Sequence, residues 1–80
     1  MSMHEDKVFA VFREVLDLLE GRDRTTLVYN ETAGWDSIGH MTIVAGLEES
    51  FDCMLDTDDI LDMSSFGKAV EIMANYDADS

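Results

Sequence analysis

Ser37 is the residue of this chain whose type and position best suit a chemical role. It lies in the segment Gly34-Trp35-Asp36-Ser37-Ile38, where a polar stretch meets an apolar helix. Ser and Asp oxygens at such a junction can accept hydrogen bonds from the first backbone N–H groups of the helix, so an ordinary helix cap is one interpretation. The same N–H groups and the positive end of the helix dipole favour a phosphate ester on the serine hydroxyl. The residues alone leave both alternatives open.

Other chemistries for these residues are less well supported. His40 follows Ser37 by three residues, which is close enough on a helix for a Ser-His pair, but no third group orients the histidine. Asp56 and Asp58 begin like a calcium loop, yet the turn glycine is missing and Ile60 stands where a ligand is needed. We therefore expect no catalytic residue and no metal site.

Apolar residues recur at spacings of three and four along four segments, which predicts four helices. In chain order these segments are Glu5 to Leu19, Ser37 to Phe51, Asp58 to Asp62 and Phe66 to Tyr76. Gly21 is the expected terminator of the first, Thr57 the cap of the third, and Ser64 or Ser65 the cap of the fourth. The expected fold is all-α: a single domain over 1–80, ordered over about 5–76, that forms a small bundle of three longer helices and one short helix.

The second helix has a predicted buried stripe and a narrow polar arc. The stripe consists of Ile38, Met41, Val44, Ala45, Leu47 and Phe51, and the arc of Gly39, Thr42, Gly46, Glu49 and Ser50. The two glycines each cost the helix roughly 1 kcal/mol relative to alanine. Close approach by a partner and plain tolerance of glycine are both possible reasons for them. A partner could also contact the edges of Ile38, Met41 and Ala45.

The connection between the first two helices is long, at about seventeen residues, and exceeds most loops in compact domains. We expect its own side chains to hold it down, with Leu27, Tyr29 and Trp35 as the available anchors. Residues 25–29 have the composition of a β-strand, but no partner strand is apparent elsewhere. We therefore interpret this run as packed loop.

The charge of the chain is strongly polarised. The formal net charge is −13, and between Asp36 and Asp62 there are eight acids and no Lys or Arg. Such a surface disfavours nucleic acid phosphates, which need a basic footprint, and favours basic protein partners. For any single acid, a solvated position that aids solubility is the simpler interpretation.

The sequence also limits the compartment. No stretch approaches the roughly 18 consecutive apolar residues of a membrane span, and the N-terminus lacks the basic region of a signal or transit peptide. Cys53 is the single cysteine, which excludes an internal disulfide framework and fits a reducing compartment. We therefore expect a cytoplasmic, monomeric protein with no membrane span.

The segment from Gly34 to Ile38, with the run Leu47-Glu48-Glu49-Ser50-Phe51-Asp52 at the end of the same helix, resembles the acyl carrier proteins. Members of that family carry Gly-x-Asp-Ser-Leu or Gly-x-Asp-Ser-Ile followed in register by Leu-Glu-Glu-x-Phe, and the resemblance covers about residues 5–76. It implies that Ser37 receives 4′-phosphopantetheine from coenzyme A and that a phosphopantetheinyl transferase reads Asp36. The thiol of that arm would carry acyl groups as thioesters, and the protein itself would catalyse nothing.

The resemblance also implies partner enzymes that load and process the acyl group through basic docking surfaces. The expected partner face consists of Ile38, Met41, Thr42, Ala45, Glu48 and Glu49. Gly39, His40 and Thr42 stand where many fatty-acid carriers have acids after the motif, which implies partners other than those of the common fatty-acid members. With Trp35 before the Asp-Ser pair, the chain resembles freestanding carriers that serve a dedicated secondary or cell-surface pathway. The alternative from another class is a noncatalytic acidic adaptor that mimics DNA or blocks a basic protein surface.

Overall fold

The computed structural model describes residues 3–19 and 21–76, and these contain four α-helices and one short 3-10 helix. The α-helices are α1 (Met3–Leu16), α2 (Ser37–Phe51), α3 (Thr57–Asp62) and α4 (Phe66–Ala74), and the 3-10 helix spans Arg24–Thr26. This confirms the predicted all-α bundle with one short helix, and the predicted bounds of α2. None of the helices in the described part of the chain is long and apolar enough to cross a membrane.

The core lies between α1, α2 and α4, and aromatic rings fill its centre. Phe12 of α1 is fully buried and packs edge-on against Trp35, with ring centroids 4.9 Å apart, and against Phe66 at 5.3 Å. Such edge-to-face pairs are favourable beyond the area they bury. Because Trp35 belongs to the loop and Phe66 to α4, this ring cluster positions the chain that leads into α2.

Helix α1 ends at Leu16, three residues before its predicted end. Asp17 adopts a left-handed conformation with φ 56°, and the Leu18 N–H donates to the Arg13 carbonyl at 3.0 Å. This is the bond pattern of a Schellman cap, which stops a helix with an αL residue. The predictions that Gly21 terminates the helix and that Leu19 belongs to its buried stripe are therefore wrong.

The other helix ends deviate by one or two residues. Thr57 is the first residue of α3 rather than its cap, and Asp56 occupies the cap position. At α4, Ser65 is the cap, because its side chain accepts from the Lys68 N–H at 3.1 Å. Helix α4 ends at Ala74, and the predicted last residue, Tyr76, lies in the turn that follows.

The long loop is held down by the anchors that we expected. Leu27 and Trp35 are fully buried, and Tyr29 is partly buried against the core. Residues 25–29 form no strand, as expected, although Val28 makes an isolated antiparallel bridge with Ser65. Two hydrogen bonds of 3.0 Å flank it, from the Tyr29 N–H to the carbonyl of residue 64 and from the N–H of residue 66 to the Leu27 carbonyl.

Candidate functional site

Asp36 caps the N-terminus of α2. Its Oδ1 accepts hydrogen bonds from the backbone N–H groups of Ile38 at 3.1 Å and Gly39 at 2.9 Å. Its backbone is extended, as is typical of a residue that precedes the first helical turn. The cap that the sequence allowed at Ser37 is therefore supplied by its neighbour.

Ser37 is the first residue of α2, and its side chain is exposed to solvent. Because Asp36 performs the capping, the serine hydroxyl has no role in starting the helix. Its Oγ lies 3.5 Å from the hydroxyl of Tyr29, at the outer limit of a hydrogen bond. The site thus presents a primary alcohol on a rigid first turn, where the active site of another protein could reach it.

His40 connects the loop, α2 and α3. Its Nδ1 accepts a hydrogen bond from Trp35 Nε1 at 2.9 Å, and its Nε2 lies 2.8 Å from the carbonyl oxygen of Ile60. A carbonyl only accepts, so Nε2 carries the proton and Nδ1 is the acceptor. Since both ring nitrogens are engaged, His40 is not placed to act as a base for Ser37.

A small cleft is bordered by Tyr29. It has a volume of about 150 Å³ and is lined by Tyr29, His40, Ile60, Leu61, Met63 and Ser64. Since the Tyr29 hydroxyl also neighbours Ser37, this one side chain borders both the cleft and the exposed serine. Sequence reasoning assigned Tyr29 only an anchoring role.

The outer face of α2 is apolar near its N-terminus. Ile38 is 81% exposed and Met41 is 55% exposed, and Thr42, Ala45 and Glu49 are exposed as well. The prediction that Ile38, Met41 and Ala45 are buried is therefore wrong. The helix instead turns Ile43, which the predicted stripe omitted, into the core together with Val44, Leu47 and Phe51. Because α2 is apolar around most of its circumference, spacing alone does not identify its buried face.

Glu48, which belongs to the expected partner face, also makes a hydrogen bond within the chain. Its Oε2 accepts a hydrogen bond from the Leu55 N–H at 2.9 Å, which holds the turn after α2. Cys53 lies partly buried in that turn. Burial, and next the charges of Glu48 and Asp52, raise the pKa of its thiol, so the thiolate form is disfavoured.

The two glycines of α2 are explained by close packing within the chain. A Cβ on Gly39 would overlap the backbone carbonyl oxygen of Gly34. A Cβ on Gly46 would lie 2.7 Å from Val11 Cγ1 of α1, closer than real side chains approach. Neither partner contact nor plain tolerance is needed to account for these residues, and Gly39 lets the loop approach the helix at the candidate site.

Arg24 and Lys68 form ion pairs with acids that lie outside α2. Arg24 binds Glu5 at 3.0 Å and Asp6 at 2.9 Å, and Lys68 binds Asp62 at 3.3 Å. In residues 3–19 and 21–76, no three His, Cys, Asp or Glu side chains form a group that could hold a metal ion.

Comparisons with protein-family models, with curated proteins and with solved structures found no match.

Proposed function

We propose that this chain is an acyl carrier protein, with Ser37 as the attachment point of a 4′-phosphopantetheine arm. The observation that carries the proposal is the division of roles between two adjacent residues. Asp36 takes the capping bonds of α2, and this leaves the Ser37 hydroxyl exposed at the first turn. A serine that only started the helix would make those bonds itself.

The residues around Ser37 fit such an arm. In the attachment reaction Ser37 Oγ acts as the nucleophile and loses its proton, and coenzyme A loses adenosine 3′,5′-bisphosphate. His40 cannot take that proton, because Trp35 and Ile60 occupy both of its nitrogens. The base, together with the magnesium ion, must therefore come from a separate phosphopantetheinyl transferase that reads Asp36 and the start of α2. When bound, the arm supplies a thiol that carries acyl intermediates as thioesters.

Partner enzymes would dock on the outer face of α2. The exposed apolar side chains of Ile38 and Met41 give a contact surface, and Glu49, which is exposed further along the same helix, adds negative charge. Basic partner surfaces would be steered to this face, which affects the association rate more than the affinity. Glu48 contributes charge from a fixed position, because it is bonded to the Leu55 N–H.

The cleft beside Tyr29 suits a short acyl group. It has a volume of about 150 Å³, opens to solvent, and has the apolar side chains of Ile60, Leu61 and Met63 in its lining. We propose that the chain works as a cytoplasmic monomer in a dedicated biosynthetic pathway whose acyl group is small.

The direct test is the intact mass of the protein after incubation with coenzyme A, magnesium and a broad-specificity phosphopantetheinyl transferase. Wild type should gain one phosphopantetheine, and Ser37→Ala should gain none. Ser50→Ala is the matched control, since Ser50 is another exposed serine of α2, and it should be modified like wild type. Modification of Ser37→Ala would show that the attachment site is wrong.

An unmodified wild-type protein would instead favour the noncatalytic acidic adaptor. The observation in favour of that second candidate is the segment from Asp36 to Asp62, with eight acids and no Lys or Arg. An adaptor should bind a basic protein surface with strong salt dependence, and Ser37→Ala should bind equally well.

A further inference from the structure

We propose that the hydroxyl of Tyr29 donates a hydrogen bond to the phosphodiester that joins the arm to Ser37, and so fixes the direction in which the arm leaves the protein. This inference rests on the proposed function, because it concerns the modified form of Ser37. It assigns Tyr29 a positioning role that neither the motif nor the helix pattern indicates.

The start of α2 leaves few donors for a phosphate. Helix N-termini commonly bind phosphate through their free N–H groups. Here Asp36 Oδ1 already occupies those of Ile38 and Gly39, at 3.1 and 2.9 Å. The carboxylate also adds negative charge beside the serine, so a donor from outside the helix would stabilise a phosphodiester there.

The Tyr29 hydroxyl is at the right distance to be that donor. It lies 3.5 Å from Ser37 Oγ, which is long for a bond between two hydroxyls. In the phosphodiester the phosphorus is bonded to Ser37 Oγ, and the free phosphate oxygens are bonded to the phosphorus. These oxygens extend beyond Oγ and come within reach of the Tyr29 hydroxyl. A bond from a neutral O–H to a charged oxygen is also shorter and stronger than one between neutral groups.

The ring of Tyr29 is held in place before any modification. It packs edge-on against His40, with centroids 5.1 Å apart, and against Trp35 at 6.2 Å. The Tyr29 N–H donates to the Ser64 carbonyl at 3.0 Å. Since His40 is itself bonded to Trp35 and Ile60, the phenol is carried by a rigid cluster, and little side-chain entropy is lost when it binds a phosphate oxygen.

The test is the phosphorus NMR resonance of the modified protein. In wild type we expect the folded protein to differ from the urea-unfolded protein in chemical shift, and Tyr29→Phe should lose most of that difference. Tyr76→Phe is the matched control, because Tyr76 is the other tyrosine of the chain and its hydroxyl binds Asp59 at 2.5 Å. It should retain the wild-type shift. Circular dichroism verifies the fold of each variant.

A second measurement does not depend on how Tyr29→Phe folds. With 3-fluorotyrosine incorporated into Tyr76→Phe, one fluorine resonance reports on Tyr29 alone, and it should move when Ser37 is modified. If the protein is modified but neither resonance responds, the role of Tyr29 is refuted while the carrier function stands. If wild type is never modified, the carrier function fails, and this inference fails with it.

Discussion

Replacement of His40 by alanine should destabilise the protein strongly, although the residue is only partly buried. Trp35 is fully buried, so His40→Ala leaves its indole N–H without the acceptor that now lies 2.9 Å away. A buried donor left unpaired costs about 1–3 kcal/mol, and loss of the bond to the Ile60 carbonyl adds about 1 kcal/mol. The free energy of unfolding should therefore fall by about 2–4 kcal/mol. This is a large part of the roughly 4–12 kcal/mol expected for a domain of this length.

The measurement is urea unfolding followed by far-ultraviolet circular dichroism, which is independent of Trp35 fluorescence. Thr42→Ala is the control, because Thr42 lies on the same helix and its hydroxyl bonds only to the Ile38 carbonyl on the exposed face. Thr42→Ala should lower the free energy of unfolding by less than about 0.5 kcal/mol.

A double-mutant cycle isolates the bond itself. In a Trp35→Phe background the indole donor is absent, so the additional cost of His40→Ala should fall by about 1–3 kcal/mol. If His40→Ala costs no more than Thr42→Ala in the wild-type background, the reasoning about the Trp35 and His40 contact is refuted.

Two further predictions concern the ends of helices. Asp36→Ala should lower the free energy of unfolding in urea by about 0.5–2 kcal/mol, as the loss of a helix cap does, whereas Ser37→Ala should lower it by less than about 0.5 kcal/mol. Equal losses for the two variants would contradict the assignment of Asp36 as the cap. The hydrogen bond to Asp59 raises the pKa of the Tyr76 hydroxyl above its ordinary value near 10. This bond therefore stabilises the folded protein fully below that ordinary pKa, and its contribution is lost as the pH rises through the raised pKa. Melting temperatures measured from pH 8 to 12 should show this alkaline loss in wild type, and a loss of equal size in Tyr76→Phe would exclude Tyr76 as its source.

The fold could be predicted from the sequence where local signals were strong. The Asp36 and Ser37 pair marked the start of α2, and the apolar run that follows gave its length. The end of α1 could not be predicted in this way, because Asp17 adopts a left-handed conformation that most residues avoid. In the structure this conformation is evident from the φ of Asp17 and from the bond between the Leu18 N–H and the Arg13 carbonyl.

The sequence allowed a candidate residue to be chosen for the site, but it did not allow the contacts around that residue to be predicted. The motif identified Ser37, but the roles of Tyr29 and His40 depend on how the loop folds back over α2 and α3. One signal was available: a tryptophan buried in a loop needs an acceptor for its indole N–H, and His40 follows Trp35 by five residues. Which face of α2 is buried depends on its packing against α1, which includes the contact between Gly46 and Val11.

The bridge between Val28 and Ser65 affects when, during synthesis of the chain, the start of α2 can reach its folded structure. A contact between distant parts of a chain forms only when both parts are present, and the entropy of loop closure must be overcome first. While a ribosome is still making the protein, the loop before α2 lacks its partner until residues 64–66 have emerged. An enzyme that recognises the folded start of α2 would therefore act on Ser37 only after nearly the whole domain has been synthesised.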